Sequence, residues 1–313
     1  MADVRIVGLK LLHGKPPPVL PAPTFDRRLM PKGTWSRCIH ITRGSVVFAS
    51  CTVACASGVG LLVEATGTRV RCVKTRFSHS GADGMAVLGG AELEAEACEF
   101  GRNGASGVYM RGSGSRARLS GCRLECNKWQ GANVVAGGYI HVFNSWILGN
   151  AQAGLSAFEQ GSGVRVVNSD LLNNLHGIAA EDEARAVVSR CRLLSNKEAG
   201  VFCQTPGASV WLDTCQIEGN LLGVAVRDRG KIAVDRCIVK ANRVRNTFWE
   251  EGHGGGIIEG VKEGETVTEL VYADGWEQMM DQRRDREVAR GMRRRRRRQV
   301  RALDLGSPAL GLS

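Results

Sequence analysis

Aromatic residues make up only 5% of the 313-residue chain, and six of its eight prolines fall between residues 12 and 37. No run of eighteen apolar residues exists, which excludes a membrane-spanning helix. Met1 to Lys10 carry charges and lack an apolar core followed by a cleavage site, so secretion is not expected. No asparagine is followed two places on by serine or threonine, so there is no N-glycosylation acceptor. Eleven cysteines is an odd count in a chain long enough to fold without staples. Reduced thiols and an intracellular location, cytoplasmic or nuclear, are therefore expected.

What the chain does have is glycine, at 40 residues, alongside 43% hydrophobic and 23% charged residues, a balance that excludes global disorder. Many glycines with few aromatics point to tight turns around a core of small and branched aliphatics. That combination suits all-β or repeat architectures.

A repeat is visible from Cys51, Thr75, Cys98, Cys122, Ser145, Ser169, Cys191, Cys215 and Cys237, spaced by 24, 23, 24, 23, 24, 22, 24 and 22 residues. Two places after each of these anchors stands an apolar residue, from Val53 and Phe77 to Ile217 and Val239. Five places after the anchors from Cys98 onward stands asparagine: Asn103, Asn127, Asn150, Asn174, Asn196, Asn220 and Asn242. Eight or nine places after all but the last anchor stands glycine, then an alternating apolar pair such as Val201 and Cys203. Each repeat thus holds three short segments of period two separated by turns. No such repeat buries its inward face alone, but coils stacked in parallel do so together. The asparagine column is expected to supply turn residues with left-handed backbone angles and amides that hydrogen-bond along the column.

The coil C-x-h-x-x-N-x-x-x-G-h-x-h (h apolar), over residues 39–245, resembles the right-handed parallel β-helix family with the pectate-lyase-like fold. It is closest in pattern to the eukaryotic F-box and Shc-binding β-helix proteins. The fold class that follows is all-β: a single right-handed parallel β-helix of about ten coils, with a basic C-terminal helix or tail. The helix is expected over 1–258 with a proline-rich insertion at 12–37, its earliest coil anchored at Leu9 and completed by Ile39 and Ile41. Irregular strands follow over 259–275, then an arginine-rich helix and disordered tail over 276–313.

In that family catalysis typically uses acids, or a basic residue with Ca²⁺-binding acids, on the outer face. Here the outward positions ahead of the anchors place Arg118, His141 and Arg165 in one column, with Glu94 and Glu96 nearby. This set would hold an anionic sugar and supply a general base, and Phe143 and Trp211 would stack on sugar rings. Ion pairing between neighbouring coils accounts for the same charges without chemistry. The outward position of the third segment reads Leu62, Ala86, Tyr109, Asn133, Ser156, Ala179, Phe202, Ala225. This uncharged face is expected either to bind a partner, through Tyr109, Asn133 and Phe202, or to be covered by the chain itself.

The remaining signals are local. The pairs Cys51/Cys55 and Cys122/Cys126 lack the second pair that a zinc site needs, so they read as structural thiols, with no metal or cofactor expected. Gly252-His253-Gly254 is similar to the G-H-G element of polygalacturonases but lacks its accompanying aspartates. Arg293 to Arg298 is an unbroken run suited to an import receptor or non-specific nucleic acid. The leading functional expectation is a non-enzymatic recognition or scaffold module for a protein partner. Its alternative is a lyase, epimerase or hydrolase acting on an anionic polysaccharide.

Overall fold

Strands of three to six residues are too short to stand alone, and the chain overcomes this by repeating them in register. A computed structural model describes residues 3–13, 36–249 and 257–259. All of these belong to the first of two units, residues 1–268 and 269–313. Strands β1 (Asp3–Val7), β2 (Lys10–His13) and β3 (Arg37–Ile41) form the first coil, and each starts a separate parallel sheet. The first sheet has eleven strands and the second and third ten each, every strand pairing with its copies one coil away. At ~4.8 Å between strands the stack is about 45 Å long. The expected all-β right-handed parallel β-helix is what the chain forms. Among the described residues no helix is long and apolar enough to cross a membrane.

β2 runs to His13 and β3 starts at Arg37, so the ends of the expected 12–37 insertion are strand. The rest of that insertion lies outside the described residues, as do the tail at 276–313 and Gly252-His253-Gly254. The first coil turns apolar side chains inward: Ile6, Leu11 and the expected Ile39 pack on the core, and the expected Ile41 is buried. Its Val4 and Leu9 remain half exposed, since no described coil lies beyond them.

Period two decides what the interior holds. Strand Arg116–Ser120 buries Ala117 and Leu119 and exposes Arg116 and Arg118. Val53, Phe77, Phe100, Leu124, Ile147, Leu171, Leu193 and Ile217 stack inside the second sheet, all fully buried. The rings of Phe77 and Phe100 lie parallel, 5.3 Å apart. Fully burying one such side chain contributes about 1.5–3 kcal/mol, and copies on the next coil supply the contact that makes this possible.

The two sharp corners of each coil are built alike. Between the first and second sheets the left-handed residue is the one before each anchor, as at Lys74 (φ 46°), Ala97 (φ 51°) and Asn144 (φ 50°). Between the second and third it is the residue before each asparagine, as at Arg102 (φ 57°), Cys126 (φ 54°) and Asn173 (φ 58°). The expectation that the ladder asparagines themselves take the left-handed angle is therefore corrected. They are kept for their side chains. Asn150 Oδ1 accepts from the backbone N–H of Asn127 (3.1 Å) and its Nδ2 (2.9 Å), while Asn150 Nδ2 donates to Leu124 O (3.0 Å) and Asn174 Oδ1 (2.9 Å). A buried amide N–H that turns along the stack meets an acceptor on the next coil.

The anchors do the same with smaller groups. Ser145 Oγ accepts from the Cys122 N–H at 3.0 Å and donates to Phe143 O at 2.8 Å. Thr75 Oγ1 accepts from the Cys51 N–H at 3.3 Å and donates to Val73 O at 3.0 Å. Cysteine, serine and threonine interchange here because each is small and can both donate and accept. All eleven cysteines are free thiols. Burial holds the Cys72 thiol well above its ordinary pKa and raises Cys203 to about 11, so both are poor nucleophiles.

The glycine column answers to the same ladder. A Cβ on Gly131 would lie 2.5 Å from Gly154 O, 3.0 Å from the Ile147 side chain and 3.1 Å from Asn150 Nδ2. There is no space for one.

Two outcomes follow. Asn150→Ala, which orphans buried groups on both neighbouring coils, should cost about 3 kcal/mol or more in denaturant unfolding, against about 1 kcal/mol for the half-buried Asn242→Ala. Equal losses would contradict a ladder role. Titration of the native chain with an aromatic disulfide reagent should modify the exposed Cys126 first, the half-buried Cys38 and Cys237 more slowly, and the remaining eight only on unfolding.

Candidate functional site

The outer face of the first sheet carries the predicted column. Arg71, Glu94, Arg118, His141 and Arg165 are register partners on five successive strands, and Trp211 continues the row after Val187. Glu96, Ser120 and Phe143 form a parallel row beside it. An open depression of about 400 Å³ lies among Arg71, Glu94, Glu96, Arg118, Ser120 and Phe143. All the expected residues of this set thus lie on one face, but they do not converge on one point.

Their partners differ along the row. Glu96 pairs with Arg71 at 3.5 Å, and Glu92 with Arg69 at 2.9 Å. The Arg118 guanidinium carbon lies 4.7 Å from the centre of the Phe143 ring, a cation–π contact. His141 tilts against the same ring at 5.4 Å. Glu94 is two coils from His141, roughly 10 Å at the strand spacing, so it neither orients the imidazole nor shares its proton. The charges acting on His141 are the arginines on either side. Partial burial, then Arg165 and Arg118, hold its pKa below the ordinary histidine value. Near neutral pH the imidazole is therefore uncharged.

Two neighbouring arginines were missed by reading only the positions four and two before the anchors. Six places before, Arg116, Tyr139 and Arg185 also point outward on the strands Arg116–Ser120, Tyr139–Phe143 and Arg185–Ser189. The same period of 22–24 residues would have found them. Tyr139 is 39% exposed and rests on Gly163, where an added Cβ would come within 2.7 Å of its ring. Arg116, Arg118, Arg165 and Arg185 have no carboxylate partner among the described residues. By contrast the second sheet's outer face pairs its charges, as in Arg76–Glu99 and Arg123–Glu125, both at 2.8 Å. That face also exposes Trp146, 47% accessible, beside a row of half-buried Leu148, Leu172 and Leu194 that the sequence reading passed over.

Of the two outcomes expected for the uncharged row of the third sheet, burial within the chain is the one found. Tyr109, Asn133 and Phe202 are 5%, 9% and 9% exposed, and Leu62, Ala86, Ser156, Ala179 and Ala225 are buried with them. Leu62, Ala86 and Tyr109 form a second apolar cluster with Val59. Ser156 Oγ donates to Asn133 Oδ1 at 3.1 Å, and Phe202 stacks on His176 at 4.8 Å. An outward row of uncharged residues is legible in the sequence, but its burial depends on packing that strand periodicity does not specify. Of the five residues proposed for binding, only Phe143 and Trp211 lie on the first sheet, and Trp211 is 51% exposed.

Among the described residues no three His, Cys, Asp or Glu side chains gather as metal ligands. The arginine run 293–298 lies outside them.

Comparison with known proteins agrees with this geometry at the level of fold. A family model described as the right-handed beta helix region matches residues 32–171. With the same coil continuing in register to the end of the described stack, the chain has the right-handed parallel β-helix fold that this family model describes. No curated protein matches. Among solved structures, a doubly substituted form of the periplasmic alginate epimerase AlgG aligns with a TM-score of 0.55 at 14% identity, covering 74% of this chain and 61% of that one. A singly substituted form aligns with a TM-score of 0.48 at 12% identity over 69% and 50% of the two chains. This chain therefore spans less than two thirds of the length of those structures, and what it shares with the first is the β-helix fold.

The electrostatics of the row are directly measurable. Proton NMR titration should place the His141 pKa below the ordinary histidine value, and Arg118→Ala with Arg165→Ala should move it upward toward that value. A His141 pKa unaffected by both substitutions would show that the arginines do not act on it.

Proposed function

We propose that the protein is a non-enzymatic recognition module that binds a protein partner through the outer face of its first sheet. One observation carries this reading: Arg116, Arg118, Arg165 and Arg185 surround Tyr139, His141 and Phe143 on an open surface, with no carboxylate partner among the described residues. Unpaired cations next to exposed aromatic side chains are the residues interfaces favour. The rigid stack fixes their spacing, so little ordering is needed on binding. Resemblance of the coil to the F-box and Shc-binding β-helix proteins supports the same reading. The eleven free thiols support the intracellular location we propose with it.

A second reading, a lyase, epimerase or hydrolase acting on an anionic polysaccharide, draws support from Trp211, whose half-exposed indole offers a sugar ring a stacking surface in line with Arg165. Two features weigh against it. The depression on this face is open, and among the described residues no carboxylate stands in contact with His141 to complete an acid–base pair.

A photo-crosslinking amino acid at position 139 of the full chain, irradiated in extract of the cells that make it, should yield a discrete protein adduct. The same group at position 192 on the second sheet should not. Absence of an adduct at 139, or release of reducing ends or unsaturated uronate from an anionic polysaccharide by the purified chain, would overturn the proposal.

A further inference from the structure

Resting on that reading, we propose that the first-sheet strip takes an extended acidic polypeptide segment laid along the stack from the strand Arg116–Ser120 to the strand Arg185–Ser189. The argument begins with charge. Four guanidiniums on three of four successive strands, two on the first and one each on the third and fourth, cover three coil spacings, about 14 Å. An extended segment of five or six residues spans roughly 17–20 Å and so reaches from end to end. Its carboxylates would meet Arg116 and Arg118 at one end and Arg165 and Arg185 at the other. Between them stand a neutral imidazole and two aromatic rings, which tolerate a peptide backbone and apolar stems.

The borders of the strip limit what fits. On the coil before it all three outward positions are acidic, Glu92, Glu94 and Glu96. At its other end the row of Ser189 continues into Asp213 and Asp235, both paired with Arg236. A long uniform polyanion following the stack would meet, at both margins, carboxylates already held in ion pairs with Arg69, Arg71 and Arg236, and so would gain no unpaired cation from them. A short acidic segment ends before it meets them. The rings within the strip are also partly engaged, Phe143 by Arg118 and His141, and Tyr139 by Gly163. Recognition of a nucleic acid by stacked bases needs open aromatic faces. What the strip offers instead is N–H donors in guanidinium forks, which match carboxylates.

The test is fluorescence anisotropy with a labelled hexaglutamate peptide and the full chain at low salt. Binding should weaken at least tenfold in the quadruple variant R116E/R118E/R165E/R185E, whose exposed positions leave the thermal midpoint unchanged. A control with the same net charge, R43E/R102E/K128E/K197E, should bind as the parent does. Raising salt from about 50 to 300 mM should loosen the complex severalfold, because exposed charges are screened. Failure of the peptide to bind, or equal loss in the control, would overturn the assignment. So would tighter binding of a hexagalacturonate or an oligothymidylate. A protein adduct at position 139 together with any of these results would reject the acidic segment while leaving the recognition reading intact.

Discussion

Each coil turns two sharp corners, and at each the backbone N–H that follows the left-handed residue points along the stack within the buried interior. An unpaired amide there costs as much as a lost hydrogen bond, so every coil needs an acceptor from its neighbour. The chain supplies it with asparagine at one corner and with cysteine, serine or threonine at the other. The 22–24 residue rhythm, the glycines beside the asparagine amides and the parallel register of three sheets follow from that requirement. Stability is then shared between adjacent coils, and the loss of one ladder group is felt on both sides of it.

The ladder also shows how far periodicity can be read. Its asparagines stand out in the sequence because only one side-chain type accepts two N–H groups while donating to a carbonyl at that place. Its ends do not. Ser80 takes the asparagine position one coil earlier, its backbone donating to Asn103 Oδ1 at 3.1 Å, and Cys55 precedes it, donating to Ser80 Oγ at 3.3 Å. At the other end Asn246, in the glycine position of its coil, accepts from Asn242 Nδ2 at 3.0 Å and closes the series. Substituted ends of this kind satisfy the same hydrogen bond with different atoms, which a search for identical residues passes over.

Outer faces are less legible, for a reason of geometry. Alternation says which side chains leave the core, and it placed Arg118, His141 and Arg165 together correctly. It does not say which outward side chains find partners. Arg71 and Glu96 neutralise each other, whereas Arg118, one coil beyond Glu94, turns onto Phe143 instead. Tyr109 and Phe202 occupy outward positions as surely as His141 does, yet they are buried. Of the two faces, the charged first sheet is exposed and the uncharged third is not, which is why the proposed binding surface is placed on the first.

Under the function proposed above, the stack would read the spacing of charges on another chain with its unpaired cations. Amide hydrogen exchange of the full chain, with and without saturating acidic peptide, tests this account most directly. Added protection confined to the strands Arg116–Ser120, Tyr139–Phe143, Gly163–Val167 and Arg185–Ser189 is the result it predicts. Protection centred on the second or third sheet, with the first unchanged, would contradict it.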